Sequence, residues 1–113
     1  MLSIERWWLI TAPMDLRYGM DRLLGYVRLE LEHTPGESDA YVFVNRARTR
    51  IKMLCCDRHG LWLATRRLHQ GGFKWPRHDD SVWTLQAEQF GWLCTGIDWQ
   101  RLSMGPSTLS KVV

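Results

Sequence analysis

Apolar residues recur at helical spacing in a stretch near the start of the chain. Counted from Met20, they fall at positions i, i+3, i+4, i+7 and i+11, which places them on one face of an α-helix. These residues are Met20, Leu23, Leu24, Val27 and Leu31. The polar loop 33–39 (HTPGESD) follows and contains a Pro-Gly breaker. The pattern therefore predicts one amphipathic helix, ending before this loop.

Shorter apolar stretches are typical of β-strands. The first is RWWLI at residues 6–10, bounded by Thr11-Ala12-Pro13. Residues 41–44 (YVFV) form a continuous apolar run, which is typical of a central strand buried on both faces. Three further strands are predicted at 51–56, 61–67 and 73–76, after turns at 45–50, 57–60 and 70–72. Connections this short join antiparallel neighbours, so the strands from residue 41 onward form a meander.

A second helix is predicted from Leu85 to Thr95, and Gly96 suits the left-handed position that ends it. The fold class expected is therefore α+β: an antiparallel sheet of four to five strands with two helices packed on one face. The length of 113 residues allows one modest core. We expect a single domain over residues 1–100 and a polar, flexible tail over 101–113.

Composition indicates in which compartment the protein is expected. No apolar run approaches the roughly 18 residues of a membrane span, and no signal peptide is recognisable. The three cysteines include the adjacent pair Cys55 and Cys56, which form neither a CxxC motif nor a disulfide framework. Buried free thiols are typical of a reducing compartment. These features predict a cytoplasmic protein without contact to a membrane.

Charge is distributed unevenly along the chain. Residues 45–78 carry nine Lys/Arg against one Asp, a balance of +8, whereas residues 1–44 carry −3 and residues 79–113 carry −2. A basic centre between acidic ends indicates a polyanionic partner, most often nucleic acid. The alternative is that half-exposed strands simply carry cations on their solvent face.

The candidate nucleic-acid-binding residues lie in this basic centre. Arg46, Arg48, Arg50 and Lys52 alternate with uncharged residues, so they are expected to cluster at one end of the hairpin. Arg66 and Arg67 fall on opposite faces of a strand, so at most one joins them. Lys74 completes the phosphate-contacting set, and Trp75 or Trp62 is the candidate for stacking on an unpaired base.

No pattern indicates catalysis. The four histidines fall in or near predicted turns without metal-ligand spacing, and no Gly-rich loop joins a strand to a helix. Asp15 and Asp21 are expected to cap a helix or pair with an arginine, and Asp57 to form a turn. Asp15, Asp21, Asp57 and Asp98 are the carboxylates that a metal-dependent nuclease site would have to gather. We expect no enzyme activity, no cofactor and no metal.

Several fragments, in order from residue 6 to residue 99, resemble the motifs of a known family. Residues 13–23 resemble P-x-D-[ML]-R-x-G-x-D-x-L, and residues 43–54 resemble F-x-N-R…R-I-K-x-L. Residues 57–76 resemble D-x-x-G…K-R-L…G-x-F-x-W-P, and residues 96–99 (GIDW) resemble the closing motif. The chain is thus similar to the TnpB-type accessory protein, the product of the second open reading frame, of the bacterial insertion sequence sixty-six family. The matching motif positions include Asp15, Arg17, Gly19, Asp57, Gly60, Pro76, Gly96 and Asp98.

The sequence also departs from that family's pattern. Cys55 and Cys56 stand where the family usually has aromatic residues, which weakens a stacking role there. Gln86 stands where a Ser or Thr cap is usual, so the second helix is expected to begin less firmly.

The resemblance implies a role in transposition, beside a separate transposase and another small element-encoded protein, without an established catalytic activity. Two hypotheses follow for the mechanism. In the first, the basic hairpin binds DNA at the element ends. In the second, the protein is a non-catalytic interaction module that docks on the transposase or on another element-encoded protein. A third possibility is a self-associating structural domain whose basic face is only solvated. The sequence leaves the oligomeric state open.

Overall fold

The computed structural model describes residues 3–77 and 82–103. Within them the chain forms five strands and three helices in a fixed order. The elements are β1 (Arg6–Ile10), α1 (Met20–Leu29), β2 (Asp39–Val44), β3 (Arg50–Cys56), β4 (Leu61–Arg67), β5 (Val82–Leu85), α2 (Ala87–Cys94) and α3 (Trp99–Ser103).

The strands form one open sheet with the order β4-β3-β2-β1-β5. The β2-β3-β4 meander and the α+β class are confirmed, because both neighbouring pairs are antiparallel. Strand β1 runs parallel to β2, and α1 forms the crossover between them. Strand β5 closes the far side by pairing antiparallel with β1. The sheet is therefore mostly antiparallel and carries one βαβ unit.

Strand β2 is buried along its whole length, as its apolar run predicts. Tyr41 and Phe43 point to the side where α1 packs, which we call the α1 face. Val42 and Val44 point to the opposite side, where α2 and α3 pack, which we call the α2 face. The helices thus lie on opposite faces of the sheet, not on one face as expected. The physical reason is β2 itself, since a strand that is apolar on both sides needs cover on both sides.

Residues 73–76 do not form the predicted last strand. This segment instead crosses the α2 face and buries Phe73 and Trp75 in the core. Its contacts are made by indoles: Trp75 Nε1 donates to the Ile10 carbonyl at 2.9 Å, and Trp99 Nε1 donates to the Lys74 carbonyl at 2.6 Å. The second edge strand comes later, at Val82–Leu85. No strand is predicted there, and Leu85 is the predicted first residue of the second helix.

Helix α2 has a defined beginning and a defined end. The backbone N–H of Gln86 donates to Gln89 Oε1 at 2.8 Å, so a glutamine pair orders the start where a Ser or Thr cap is missing. Gly96 has φ +82°, and its N–H donates to the Leu93 carbonyl, which confirms the predicted left-handed end. Residues 101–103 of the predicted tail belong to α3, and the remainder, 104–113, lies outside the described residues. None of the described helices has the length and apolar character needed to cross a membrane.

Candidate nucleic-acid interface

The turn between β2 and β3 is built around Asn45. Its Oδ1 accepts from the backbone N–H groups of Thr49 and Arg50, and its Nδ2 donates to Thr49 Oγ1. Arg48 adopts the left-handed conformation with φ 60°, and its N–H donates to the Asn45 carbonyl. One asparagine side chain therefore fixes a tight turn, and the exposed Arg46 and Arg48 project from an ordered backbone.

The loop that precedes α1 docks against this turn. The Met14 N–H donates to the Val44 carbonyl at 2.8 Å, at the end of β2. Lys52 Nζ, on β3, donates to the Tyr18 carbonyl at 3.2 Å. These bonds hold loop 13–18 beside the hairpin although the two are more than twenty residues apart in sequence.

Within that loop, Asp15 and Arg17 form an ion pair with two parallel contacts. Arg17 Nη2 lies 2.6 Å from Asp15 Oδ2, and Arg17 Nε lies 3.0 Å from Asp15 Oδ1. These hydrogen bonds lower the pKa of Asp15 to about 2. The pairing with an arginine expected for Asp15 is confirmed, and the carboxylate is ionised at any physiological pH.

A pocket of about 440 Å³ lies between the loop and the turn, and we call it the hairpin-end pocket. Its apolar wall comes from the loop, and its opposite wall comes from the turn. The lining residues are Pro13, Met14, Asp15, Leu16, Arg17, Asn45, Arg46, Ala47 and Arg50. Three arginines and one carboxylate thus line the pocket, and Arg17 already neutralises that carboxylate. This arrangement suits an anion with two or more negative oxygens.

The cations predicted along the strands separate by face. Arg50 and Lys52 share the α1 face with Leu54, and Arg67 joins them because it lies directly opposite Arg50 in the β3–β4 register. Arg66 lies on the other side, where its Nε donates to the Cys94 carbonyl of α2 at 2.7 Å. Of the two neighbouring arginines, only Arg67 joins the basic end of the hairpin, which we define as Arg46, Arg48, Arg50 and Arg67.

Lys74 lies close to the turn, because the preceding residue, Phe73, donates its N–H to the Arg48 carbonyl at 2.7 Å, whereas neither candidate tryptophan presents its ring there. Trp75 is only 5% exposed and its indole N–H is bonded to Ile10, so it cannot stack on a base. Lys74, its neighbour, is exposed on the segment that crosses the α2 face. Trp62 is 52% exposed, but it lies near the opposite end of β4, with its Nε1 donating to Asp57 Oδ2 at 2.8 Å. The structure therefore groups Arg46, Arg48, Arg50 and Arg67, keeps Arg66 on the other face, and leaves stacking without a residue beside the basic end.

Most of the other positions that match the family motifs have structural roles in turns, at helix starts or in the core. Asp57 Oδ1 accepts from the N–H groups of His59 and Gly60. The hydrogen bond from the Trp62 indole, and then these two backbone bonds, lower the pKa of Asp57. Gly19 precedes α1 and its carbonyl accepts from the Leu23 N–H. Asp98 lies at the start of α3, where its carbonyl accepts from the Leu102 N–H. Pro76 is buried. Only Asp15 and Arg17 of this set line the pocket.

Sequence reasoning missed the pocket itself. Asn45 and the apolar residues Pro13, Met14 and Leu16 carry no periodic signal, and nothing in the spacing joins loop 13–17 to the turn. The available signal was that both segments belong to fragments resembling one family's motifs. Across residues 3–77 and 82–103, no group of three or more His, Cys, Asp or Glu side chains is arranged to hold a metal ion.

Comparison with known proteins gives a consistent assignment. The family described as "IS66 Orf2 like protein" matches residues 5–104. Two uncharacterized proteins of Sinorhizobium fredii are similar along most of their length. The protein y4hO is 32% identical over 95 residues, covering 84% of this chain and 83% of its own. The protein y4jC is 32% identical over 96 residues, covering 85% and 82%. No solved structure matches the chain.

Proposed function

Because the chain belongs to the family of IS66 Orf2-like proteins, which is tied to bacterial insertion sequences, we propose that it is a non-catalytic accessory factor of transposition that binds nucleic acid. It acts in the cytoplasm, and its ligand is the DNA at the element ends. The contact surface is the hairpin-end pocket together with the basic end of the hairpin.

The observation that carries this proposal is the hairpin-end pocket. Arg17, Arg46 and Arg50 line it together, although one of them comes from a loop and two from the hairpin. The backbone that presents Arg46 and Arg50 is fixed by Asn45, so little backbone conformational entropy is lost when an anion binds. Guanidinium groups on an ordered frame are well suited to phosphate oxygens, and such contacts position a protein on nucleic acid.

The same site argues against catalysis. Its one carboxylate, Asp15, has a pKa of about 2 and both oxygens occupied by Arg17. A carboxylate of this kind is a poor general base, because efficient proton transfer needs a pKa near the working pH. The pocket's remaining polar side chains are cationic or, for Asn45, used up by the turn.

Fluorescence anisotropy tests this proposal directly. The full chain is titrated against labelled terminal-repeat DNA, random duplex, single-stranded DNA and RNA, each at two salt concentrations. We expect tighter binding to one of the DNA probes and a steep loss of affinity with salt. Arg46→Gln lowers the slope of log K against log salt by about one for each phosphate contact it removes.

Arg58→Gln is the matched control. It removes the same charge from an exposed position in the turn at the opposite end of the β3–β4 hairpin, outside the pocket. We expect it to leave the affinity close to that of the unaltered chain. Equal losses for both variants, or no binding to any probe, contradict the proposal.

A second candidate function is favoured by Trp62. It is the most exposed tryptophan of the described residues, and it is fixed by Asp57 without being buried. Exposed aromatic side chains of limited mobility are typical anchors of protein interfaces. In this second function the protein is an interaction module that docks on the transposase or another element-encoded protein.

Co-purification with the transposase separates the two candidates. Loss of the complex with Trp62→Ala, but not with Arg46→Gln, supports docking. The reverse pattern supports nucleic-acid binding. Trp62→Ala is informative because the side chain is half exposed, so its removal leaves the core intact.

A further inference from the structure

Strand β4 is an edge strand of the sheet, and no described strand pairs with its outer side. Among the described residues it pairs only with β3. The bonds Asp57 N–H to Gly60 and Leu68 N–H to Thr49 fix the alternation of the β3–β4 ladder. In that alternation the N–H and C=O groups of four residues point away from β3. They are Leu61, Leu63, Thr65 and Arg67.

This edge has little protection against pairing. Its seven residues keep an unbroken register with β3, without a bulge or a proline, and the exposed Trp62 lies within it. Natural edge strands are usually shortened, bent, covered or charged along their length. Here the charges, Arg66 and Arg67, are confined to one end.

We infer that β4 pairs antiparallel with β4 of a second copy of this chain, about a two-fold axis at Ala64. The two five-stranded sheets then become one continuous ten-stranded sheet. This inference does not rest on the proposed function. No residue of β4 lines the hairpin-end pocket, and of the basic end of the hairpin only Arg67 belongs to β4.

The register follows from the strand's limits. Residues 61–67 pair completely with themselves only when Ala64 lies on the axis. Arg66 of one copy then lies opposite Trp62 of the other, and Arg67 lies opposite Leu61. No arginine faces another arginine, so the like-charge penalty of directly opposite residues is avoided.

The side chains suit this arrangement on both faces. At the axis the two copies of Ala64 form a pair without mutual hydrogen bonds, in which side chains are closest and a methyl group fits. Ala64 is exposed in the single chain. Trp62 and Arg66 share the α2 face, where Cys94 holds the Arg66 guanidinium in place. A guanidinium over an indole is a favourable cation–π pair, and it would cover the exposed ring in each copy.

Sedimentation velocity of the full chain over a range of concentrations tests the association. We expect a reversible dimer for the unaltered chain and for Thr65→Ala. Thr65→Pro removes an outward N–H that makes no bond within the chain's own ladder, a position where edge strands tolerate proline. We expect it to remain folded by circular dichroism and to be monomeric. A monomeric unaltered chain, or dimers of equal strength in the proline variant, overturns the inference.

Oxidative crosslinking tests the register without a destabilising substitution. In Ala64→Cys the two introduced thiols face each other at the axis, with Cα atoms about 4.5 Å apart, within the range of a disulfide. In the control Thr65→Cys the thiols face Leu63 and lie on a longer diagonal. We expect a disulfide-linked dimer for Ala64→Cys well above the level of the control and of the unaltered chain with its Cys55, Cys56 and Cys94. Equal yields in all three refute this register.

Discussion

Arg50 and Arg67 lie directly opposite each other in the β3–β4 pair. The neighbouring pair, Thr49 and Leu68, is bridged by a hydrogen bond, so Arg50 and Arg67 form the non-bonded type of pair with the closest side chains. Both are exposed on the α1 face, beside the hairpin-end pocket. Two cations in this position repel each other, and a bound polyanion removes that repulsion.

Replacing Arg67 should therefore weaken nucleic-acid binding and stabilise the fold. We expect Arg67→Gln to raise the free energy of unfolding by roughly 0.2–1 kcal/mol, the range for relieving an unfavourable cross-strand pair. The same variant should weaken nucleic-acid binding and reduce its salt dependence. Urea denaturation and anisotropy titrations measure the two effects.

Arg66→Gln is the control for that prediction, since it removes the same charge one residue earlier. Arg66 points to the α2 face and donates to the Cys94 carbonyl, so its loss should destabilise the fold by about 0.5–1.5 kcal/mol. The prediction requires that the free energy of unfolding rises in Arg67→Gln and falls in Arg66→Gln. A shift in the same direction shows that net charge, and not the local pairing, decides stability.

The sequence predicts much of this fold because its local signals agree with the final packing. The helical spacing from Met20, the apolar run 41–44 and the short turns each lead to the observed element. The sequence patterns do not predict the arrangement of the helices on opposite faces, because the pattern of a single element does not say which side of a sheet it covers. Only the burial of β2 on both sides indicates that helices must cover both faces of the sheet.

Local sequence patterns predict neither the conformation of residues 73–76 nor the hairpin-end pocket, because both depend on contacts between distant parts of the chain. The stretch FKWP alternates like a strand, yet the Trp75 indole bonds a carbonyl 65 residues earlier in the chain. The pocket depends on contact between loop 13–17 and the turn after Val44, which no spacing rule encodes. The alternation did place Arg66 and Arg67 on opposite faces, because face assignment within a strand follows from period two alone.

Gly72 packs against the turn of the hairpin. A Cβ at this position would lie 2.9 Å from the Arg48 carbonyl oxygen, and the next residue, Phe73, donates its N–H to that same oxygen. Because the obstacle is backbone, it cannot rotate away. We expect Gly72→Ala to lower the free energy of unfolding by about 1–3 kcal/mol, as overpacking does.

Gly91→Ala is the matched control, made in the middle of α2. Nothing lies within 4 Å of the Cβ it would add. Alanine is the better helix former, so we expect a gain of roughly 0.5–1 kcal/mol. Thermal or urea denaturation of both variants measures the difference, and a stabilised Gly72→Ala would contradict the close approach to Arg48.

Trp75 and Trp62 offer a second matched comparison. Trp75→Phe leaves the Ile10 carbonyl without its buried donor and leaves a gap in the core, so we expect a loss of about 2–4 kcal/mol. Trp62→Phe removes a bond to Asp57 at an exposed site and should cost less than about 1 kcal/mol. Urea denaturation measures both. Similar losses would show that Trp75 is less integrated into the core than its burial indicates.

The Asp39 carboxylate accepts hydrogen bonds from three groups, two on β1 and one in the loop before β2. Its Oδ1 accepts from Arg6 Nε at 3.0 Å and Trp8 Nε1 at 3.2 Å, and its Oδ2 accepts from the Gly36 N–H at 3.1 Å. Burial alone would raise the pKa of Asp39, but these hydrogen bonds outweigh it and lower the pKa below its ordinary value.

The lowered pKa predicts how stability depends on pH. The ionised carboxylate stabilises the fold above the unfolded-state pKa of about 3.9, and this contribution is lost as the pH falls through the lower folded-state pKa. We expect Asp39→Asn to be less stable than the unaltered chain by roughly 1–3 kcal/mol at pH 7. The difference should narrow as the pH falls below about 4, because both chains then lack the charge. Urea denaturation between about pH 7 and pH 2 measures it. The acid sensitivity that remains in Asp39→Asn is expected from Asp15 and Asp57, whose pKa values are also lowered. A stability difference that does not change with pH would show that Asp39 acts by its shape and not by its charge.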